Sequence, residues 1–274
     1  MTGMKPVSIK RVIRKKINHY LDTIVDTELR ETMRKDIFCS GGAVASMLLG
    51  EEVNDYDFYF KSADTVRRVL AYYIGDRDIS IKEEIMENIM GEEELRITAF
   101  VSDRGIYREP GMVITSNAIS LREKGIKPVQ LITRFYGSIE EVMRYYDFAH
   151  TKNWYDYNLD YLHLDKMALI SLMSKSLHYA GSLYPLCSVM RIRKFMKRGW
   201  SITVGQMLKM QFQLQKIDLN DVEGLTEQLI GVDSLYALEF IGRLNDATDS
   251  ERADAGYLAT LLDSVFAEDY QEDE

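Results

Sequence analysis

The spacing of apolar and polar positions divides the chain into a mixed half and a helical half. Residues 7–35 place apolar side chains near helical spacing between charges, which predicts one N-terminal helix. The stretch "DIFCSGG" is a short apolar run that ends in glycines, as a strand does before a turn. "AVASMLLG" follows and predicts a helix of about two turns that Gly50 closes.

Strand patterns continue from there. "DYDFYF" alternates aromatic and carboxylate side chains and predicts a strand, and Ser62 is placed to cap the helix "ADTVRRVLAYYIG". The β-branched runs "LRITAFVS", "MVITSNAISL" and "KPVQLITRF" predict a sheet. Ser138 is placed to cap "IEEVMRYY", and "DFAHTKNWYDY" is either one more strand or an extended arm.

From about residue 164 onward the apolar spacing is helical in every segment. The sequence therefore predicts an α+β fold, with a mixed sheet and flanking helices in residues 1–160 and an all-helical domain in residues 161–274.

Composition is that of a folded protein, with 46% hydrophobic and 28% charged residues in 274. No run of about 18 apolar residues and no secretory signal pattern is present in the sequence, and the two cysteines have no zinc-site spacing. We expect a cytoplasmic protein with reduced thiols and no membrane partner.

The charge is distributed unevenly along the helical half. The net charge of the chain is −9, but residues 161–215 contain eight Lys or Arg and one acidic residue, whereas residues 216–274 contain three basic and sixteen acidic residues. A basic segment inside an acidic chain is a candidate anion-binding face.

Asp55 and Asp57 stand one residue apart between aromatic residues. Side chains at i and i+2 of a strand point to one face, and adjacent carboxylates repel each other unless a cation lies between them. Mg²⁺ (or Mn²⁺) would relieve this repulsion, because it prefers oxygen ligands and leaves room for substrate phosphates. The alternative is a solvated pair on an exposed strand, which is the usual setting of an isolated D-x-D.

A glycine pair precedes these aspartates, with twelve residues between Gly42 and Asp55. Backbone amides in a glycine-rich turn before a helix form an anion-binding nest, and no Cβ keeps phosphates away. The two features together predict a site for a nucleoside triphosphate and a divalent cation.

"GGAVASMLLGEEVNDYDFYF" resembles the signature of the DNA polymerase β-like nucleotidyltransferase superfamily, and is most similar to the tRNA nucleotidyltransferase and poly(A) polymerase head domain, GGxVRDxLLG…DxD. The resemblance implies a nucleotidyltransferase-type sheet in residues 1–160. It assigns Ser40, Gly41 and Gly42 to nucleotide phosphates, and Asp55 and Asp57 to catalysis and metal binding. The whole chain also resembles uncharacterised nucleotidyltransferase-like proteins of large phage genomes.

"VMRIRKFMKRGWSI" resembles the neck segment of the same branch, R-x-x-RF-x(4)-GF, which adjoins the nucleotide site in that family. The resemblance assigns Arg191 and Lys194 to nucleotide binding. The alternative is a solvated helix face.

The sequence departs from the family pattern in three places. Ala45 and Ser46 replace the Arg-Asp pair of the motif, and no EDxxR nucleotide-selecting motif follows. The strand "KPVQLITRF" offers Gln130 where the family has a third carboxylate. Asp147 is our candidate for the missing carboxylate if its segment pairs beside the D-x-D strand, and Glu94 is a poorer one.

We therefore expect a metal-dependent nucleotidyltransferase that moves a nucleoside monophosphate from an NTP to a hydroxyl, with an RNA 3′ end or a tRNA as the favoured acceptor. The alternative is a catalytically reduced binding or assembly protein with this fold, encoded by a phage or associated with a virion, that acts on a protein partner. Convergence of three acidic side chains in one cleft would favour the enzyme.

Overall fold

The computed structural model describes residues 3–101, 105–124, 127–217, 222–229, 240, 242–244, 246–248 and 254–265. The chain forms two compact units, Met1–Ala180 and Gly181–Glu274. The boundary predicted near residue 160 falls inside the first unit, because the helix that follows it packs against other elements of that unit. No helix in the described ranges is long and apolar enough to cross a membrane.

The helices of the first unit lie in two sequence blocks on either side of a long run of strands. They are α1 (Pro6–Asp22), α2 (Thr27–Asp36), α3 (Gly42–Leu49), α4 (Ala63–Ile74), α5 (Ile139–Arg144) and α6 (Lys166–Ser174), with a 3₁₀ turn at Ala149–Thr151.

The single helix predicted over residues 7–35 is wrong, because the structure has α1 and α2 there. The Asp26 side chain accepts a hydrogen bond from the Leu29 amide, so it caps a new helix where one continuous helix was expected. Val25, an apolar residue within the predicted helix, is exposed at the break.

The strands of the first unit are β1 (Ile37–Ser40), β2 (Tyr56–Phe60), β3 (Ile79–Glu87), β4 (Glu93–Val101), β5 (Ile106–Glu109), β6 (Met112–Thr115), β7 (Ala118–Leu121), β8 (Val129–Ile132), β9 (Trp154–Asp156), β10 (Tyr161–His163) and β11 (Ser176–Leu177). Eight of them form one sheet in the order β10-β9-β1-β2-β8-β7-β6-β5, and β3 and β4 form a hairpin. β2 and β8 are parallel and the other pairs of the large sheet are antiparallel. The predicted α+β class with a mixed sheet is confirmed.

The two faces of this sheet bury different cores. One face packs against α1, α3 and α4 through a large apolar cluster that contains Cys39, Phe58 and Leu131. The other face carries a smaller cluster under α5 that contains Phe38 and Tyr59. Because side chains alternate along a strand, Asp57 lies on the face of the smaller cluster.

The described part of the second unit consists of α7 (Pro185–Lys197), the short strand β12 (Ser201–Ile202), α8 (Val204–Leu214), α9 (Val222–Gln228) and α10 (Ala255–Val265). Its core is a separate apolar cluster of Leu186, Leu225, Leu229, Phe240, Leu244, Leu258, Leu261 and Val265.

Candidate active site

Three adjacent strands place Ser40, Asp57 and Gln130 in one row across the sheet. Ser40 in β1 is the register partner of Asp57 in antiparallel β2, and Asp57 is the partner of Gln130 in parallel β8. Register partners point to the same face. The strand "KPVQLITRF" is therefore the neighbour of the D-x-D strand, and it supplies an amide to this row.

Asp55 joins the row although it lies just before β2. The Gln130 side-chain amide donates a 3.0 Å hydrogen bond from Nε2 to Asp55 Oδ2. Gln130 therefore connects both aspartates, one through sheet register and one through its side chain. Asp55 and Asp57 are each half-buried, which leaves them partly accessible to solvent.

Gly41 lies directly against the Asp57 carboxylate. Its φ of +91° favours glycine, and a Cβ at this position would come within 2.8 Å of Asp57 Oδ2 and 3.3 Å of the Tyr146 hydroxyl oxygen. Backbone conformation and close approach therefore both require glycine here. The Gly41 amide donates to the Thr151 carbonyl at 3.3 Å, so it is engaged within the fold.

Gly42 begins α3 and differs from Gly41 in its surroundings. It is exposed, and a Cβ built on it would have no atom within 4 Å. The amides of a first helical turn have no intrahelical acceptor, and Gly41, at the cap position, has no side chain to satisfy them. The start of α3 can therefore donate hydrogen bonds to an anion beside Asp57.

The Ser40 hydroxyl faces inward. Ser40 is fully buried, and its Oγ donates to the Asn153 carbonyl at 3.0 Å. It fixes β1 to the segment before β9. The phosphate contact assigned to Ser40 stays a prediction.

Two tyrosines that the sequence did not identify lie at the site. The Tyr146 hydroxyl donates to the Tyr59 hydroxyl at 2.8 Å. Burial raises the pKa of Tyr146 strongly, and the negative charge of Asp57 raises this pKa further. The pKa of Tyr59 is raised by burial and also by Tyr146 and Asp57. Both phenols therefore stay protonated at neutral pH.

Strand alternation could have identified Tyr59, because it lies two residues after Asp57 in the same strand. Tyr146 has no local sequence signal, since tertiary packing alone brings it to the site.

Asp147 does not lie on a strand beside β2, whose sheet neighbours are β1 and β8. It lies between α5 and the 3₁₀ turn with 5% exposure, and its carboxylate accepts a hydrogen bond from the Phe148 amide at 2.9 Å. The strand pairing on which its candidacy depended is absent. Glu94 forms a salt bridge with Arg96 at 3.0 Å and one with Arg134.

Arg191 and Lys194 lie on α7 in the second unit. Arg191 is half-buried and Lys194 is exposed. Their assignment to nucleotide binding stays a prediction.

The residues present fit a magnesium ion. Mg²⁺ is commonly held by one or two carboxylates together with substrate phosphates and water. Asp55 and Asp57 supply two carboxylates, and Gly41 leaves the space beside Asp57 Oδ2 that a Cβ would fill. Within the described ranges, no group of three or more His, Cys, Asp or Glu side chains is placed to hold a metal ion.

The fold and the site define an α+β protein with paired aspartates beside a glycine turn that opens a helix. The sequence profile described as "Gad2: Gabija anti-defense 2 family protein" matches residues 11–175. This match covers more than half of the 274 residues. The chain belongs to the Gabija anti-defense 2 family.

A curated relative is "Gabija anti-defense 2" of Bacillus phage SPbetaL7, which is 20% identical over 245 residues. The match covers 89% of this chain and 53% of the relative. The chain therefore spans about half the length of the curated relative it matches.

Among solved structures, a CCA-adding enzyme in complex with ATP has a TM-score of 0.44 and 14% identity, and the match covers 89% of this chain and 54% of the enzyme. The Bacillus stearothermophilus CCA-adding enzyme in complex with CTP has a TM-score of 0.42 and 14% identity, with 86% and 52% covered. A tRNA nucleotidyltransferase with a primer tRNA and an ATP analog has a TM-score of 0.40 and 16% identity, with 80% and 59% covered.

Proposed function

We propose that this chain is a metal-dependent nucleotidyltransferase that counteracts the Gabija defense through its reaction. The observation that carries the proposal is that Gly41 lies against the Asp57 carboxylate. Gln130, the register partner of Asp57, hydrogen-bonds Asp55 and so brings the second carboxylate to the same place. Membership of an anti-defense family and the resemblance of the motif to nucleotidyltransferases both support it.

In the proposed reaction, the oxygen of an acceptor hydroxyl bonds to the α-phosphorus of an NTP while the bond to pyrophosphate breaks, and the hydroxyl proton passes to solvent water. Asp55 and Asp57 would hold Mg²⁺, which when bound would offset the negative charge of the triphosphate. The first amides of α3 donate to phosphate oxygens, and Gly41 lets those oxygens approach Asp57. Tyr59 and Tyr146 pack beside Asp57 as neutral phenols.

An RNA 3′ end or a tRNA is the acceptor class that we propose, since the resemblance is to that branch. Arg191 and Lys194 are proposed to contact phosphates of the nucleotide or of the acceptor. The local charge favours this role, because the segment around these two residues is basic within an otherwise acidic chain.

One observation favours a second candidate, a nucleotide-binding protein with reduced catalysis that acts on a protein partner. Gln130, a neutral and weaker ligand, occupies the row position opposite Asp57 where a third carboxylate was expected. In that case the chain would bind an NTP at the same aspartates without transferring a nucleotidyl group.

The test compares Asp55→Ala plus Asp57→Ala with a matched control. Asp76 and Asp78 form a second D-x-D in the same unit, and both are exposed. Incorporation of each labelled NTP into pooled RNA is measured with Mg²⁺, alongside phage plating on cells that carry a Gabija system.

We expect the first pair of substitutions to abolish incorporation and protection, and Asp76→Ala plus Asp78→Ala to leave both unchanged. Metal-dependent NTP binding without incorporation into any acceptor would favour the second candidate. Undiminished incorporation by the first pair would rule out the proposed mechanism.

A further inference from the structure

A cleft on the opposite face of the sheet has the chemistry of a second ligand site. It has a volume of about 310 Å³ and is lined by residues of α1 and α4, by the β5–β6 turn, and by Arg122, Glu123 and Lys127 between β7 and β8. This volume is at the lower end of small-molecule pockets, which span roughly 300–1,000 Å³. A mononucleotide is a ligand of that size class.

Three basic residues line this cleft: Lys16, Arg122 and Lys127. The Lys16 ammonium donates to the Lys127 carbonyl and lies 5.6 Å from the centroid of the Tyr56 ring. Lys127 forms a salt bridge with Glu52. Within the described part of the chain, no carboxylate forms a salt bridge with Arg122. Like charges gathered around one cavity favour an anionic ligand.

One carboxylate, Glu123, also lines the cleft, within hydrogen-bond distance of a histidine. Glu123 Oε2 lies 2.9 Å from His19 Nε2. Burial lowers the pKa of Lys16, against the opposing charge of Glu123. An anion bound beside Lys16 would stabilise its ammonium form and would offset the cost of burying that charge.

The other wall of the cleft is aromatic. Tyr20, Tyr72 and Tyr73 line it, and the last two rings pack edge to face with centroids 5.2 Å apart. The Tyr73 hydroxyl lies 3.5 Å from that of Tyr20. Planar rings on one side and cations on the other match a ligand with an aromatic base and phosphates.

The cleft is separate from the aspartate row. Val129 of β8 lines the cleft and is the register partner of Tyr56, which lies one position before Asp57 in β2. Because alternate residues of a strand face opposite ways, Tyr56 and Val129 point away from Asp57 and Gln130. The two sites are therefore back to back across the end of β2.

We propose that this cleft binds a nucleoside phosphate, with its phosphates near Lys16, Arg122 and Lys127 and its base against Tyr72 and Tyr73. The site is independent of the divalent cation and of the reaction at Asp55 and Asp57. It goes beyond the proposed transferase, because a nucleotide at this face would be a regulatory ligand and not a substrate.

The experiment removes the first site before testing the second. The Asp55→Ala plus Asp57→Ala variant is titrated calorimetrically with AMP, ADP, ATP and GTP in EDTA, and with inorganic phosphate and a single-stranded oligonucleotide as comparison probes. We expect one mononucleotide to bind with one-to-one stoichiometry. Adding Arg122→Ala or Lys16→Met should weaken this binding about tenfold or more, the size of one lost charge-assisted hydrogen bond.

The matched controls are Lys15→Met and Lys124→Ala, which remove the same charge from exposed neighbours that do not line the cleft. They should leave the affinity unchanged, and thermal unfolding checks that each variant is folded. Absence of mononucleotide binding in EDTA would overturn the proposal. Inorganic phosphate that binds as tightly as the nucleotide would also overturn it. The same holds if the oligonucleotide binds most tightly and Lys15→Met lowers its affinity as much as the cleft substitutions do.

Discussion

The chain contains two D-x-D stretches in the same unit, and their surroundings differ. Asp55 and Asp57 flank the start of a central strand, where Gly41 contacts one carboxylate and Gln130 hydrogen-bonds the other. Asp76 and Asp78 lie in the turn after α4, and both are exposed.

Arg77, which lies between Asp76 and Asp78, shows that this second stretch has a structural role. Arg77 donates to both oxygens of Glu109, at 3.2 and 2.7 Å, and to the Tyr73 carbonyl at 3.1 Å. The Asp76–Asp78 turn is therefore a structural connection between α4 and β5, flanked by solvated carboxylates. The D-x-D spacing alone therefore does not indicate a metal site. The first pair differs from the second because a glycine turn and a neighbouring strand in register lie beside it.

The largest expected effect is on activity. Asp57→Asn removes a charged ligand of the proposed metal site, and we expect a loss of about 10³-fold in turnover, since a bound cation contributes several kcal/mol to transition-state stabilisation. Asp78→Asn should leave turnover unchanged. Single-turnover NTP incorporation measures both variants, and equal losses in the two would show that the pairs do not differ as described.

The glycine turn gives the next effect. Gly41→Ala places a Cβ at positive φ and against Asp57, so we expect destabilisation of about 2 kcal/mol together with weaker NTP binding. Gly42→Ala meets open space, and a change within about 0.5 kcal/mol is expected. Urea unfolding and calorimetric titration measure the pair. Equal stability of the two variants would contradict the close approach.

A smaller effect is expected from restoring a third carboxylate to the row. Gln130→Glu adds a negative charge opposite Asp57, so we expect Mn²⁺ to bind about tenfold more tightly, while stability without metal falls by about 1 kcal/mol. Gln130→Ala serves as the control, because it removes the hydrogen bond without adding charge. Mn²⁺ affinity that does not rise in Gln130→Glu would show that Gln130 lies outside the proposed metal site.

The smallest effect concerns the second pair and pH. Hydrogen bonds from Arg77, and a further one from Tyr107, lower the pKa of Glu109 from its usual 4.5. The stabilisation is thus present above pH 4.5 and lost as the pH falls through the lowered value. We expect Glu109→Gln to be less stable than wild type at pH 7 and to converge with it in acid. Parallel urea curves at pH 7, 5, 4 and 3 measure this, and a gap that widens in acid would reverse the sign.

Local patterns predicted much of the fold. The β1 turn, the α3 helix with Gly50 in the left-handed region, the β2 strand and the Ser62 and Ser138 caps all occur as predicted. β3 escaped prediction because it is largely exposed and rich in acidic residues. The N-terminal helix was predicted without its break because Asp26 acts as a cap that periodicity does not detect.

The site was predictable only in part. Asp55, Asp57 and the glycine pair lie within one short stretch and are recognised there, whereas Tyr146 arrives through packing of a distant segment. The Asp147 candidacy required a strand that the chain does not form at that residue. The Ser40 hydroxyl points into the protein because it donates to the Asn153 carbonyl. Asn153 is distant in the sequence, so no local pattern predicts this contact.

The parallel pairing of β2 with β8 has a consequence for the order of events during folding. The aspartates leave the ribosome long before Gln130, and before the β9 segment that pairs on the other side of β1. Contacts between such distant positions form late, because the loop between them must first be closed. A nascent chain that ends before β8 would display the complete D-x-D signature, but the candidate site around it could assemble only after the later strands of the first unit have been synthesised.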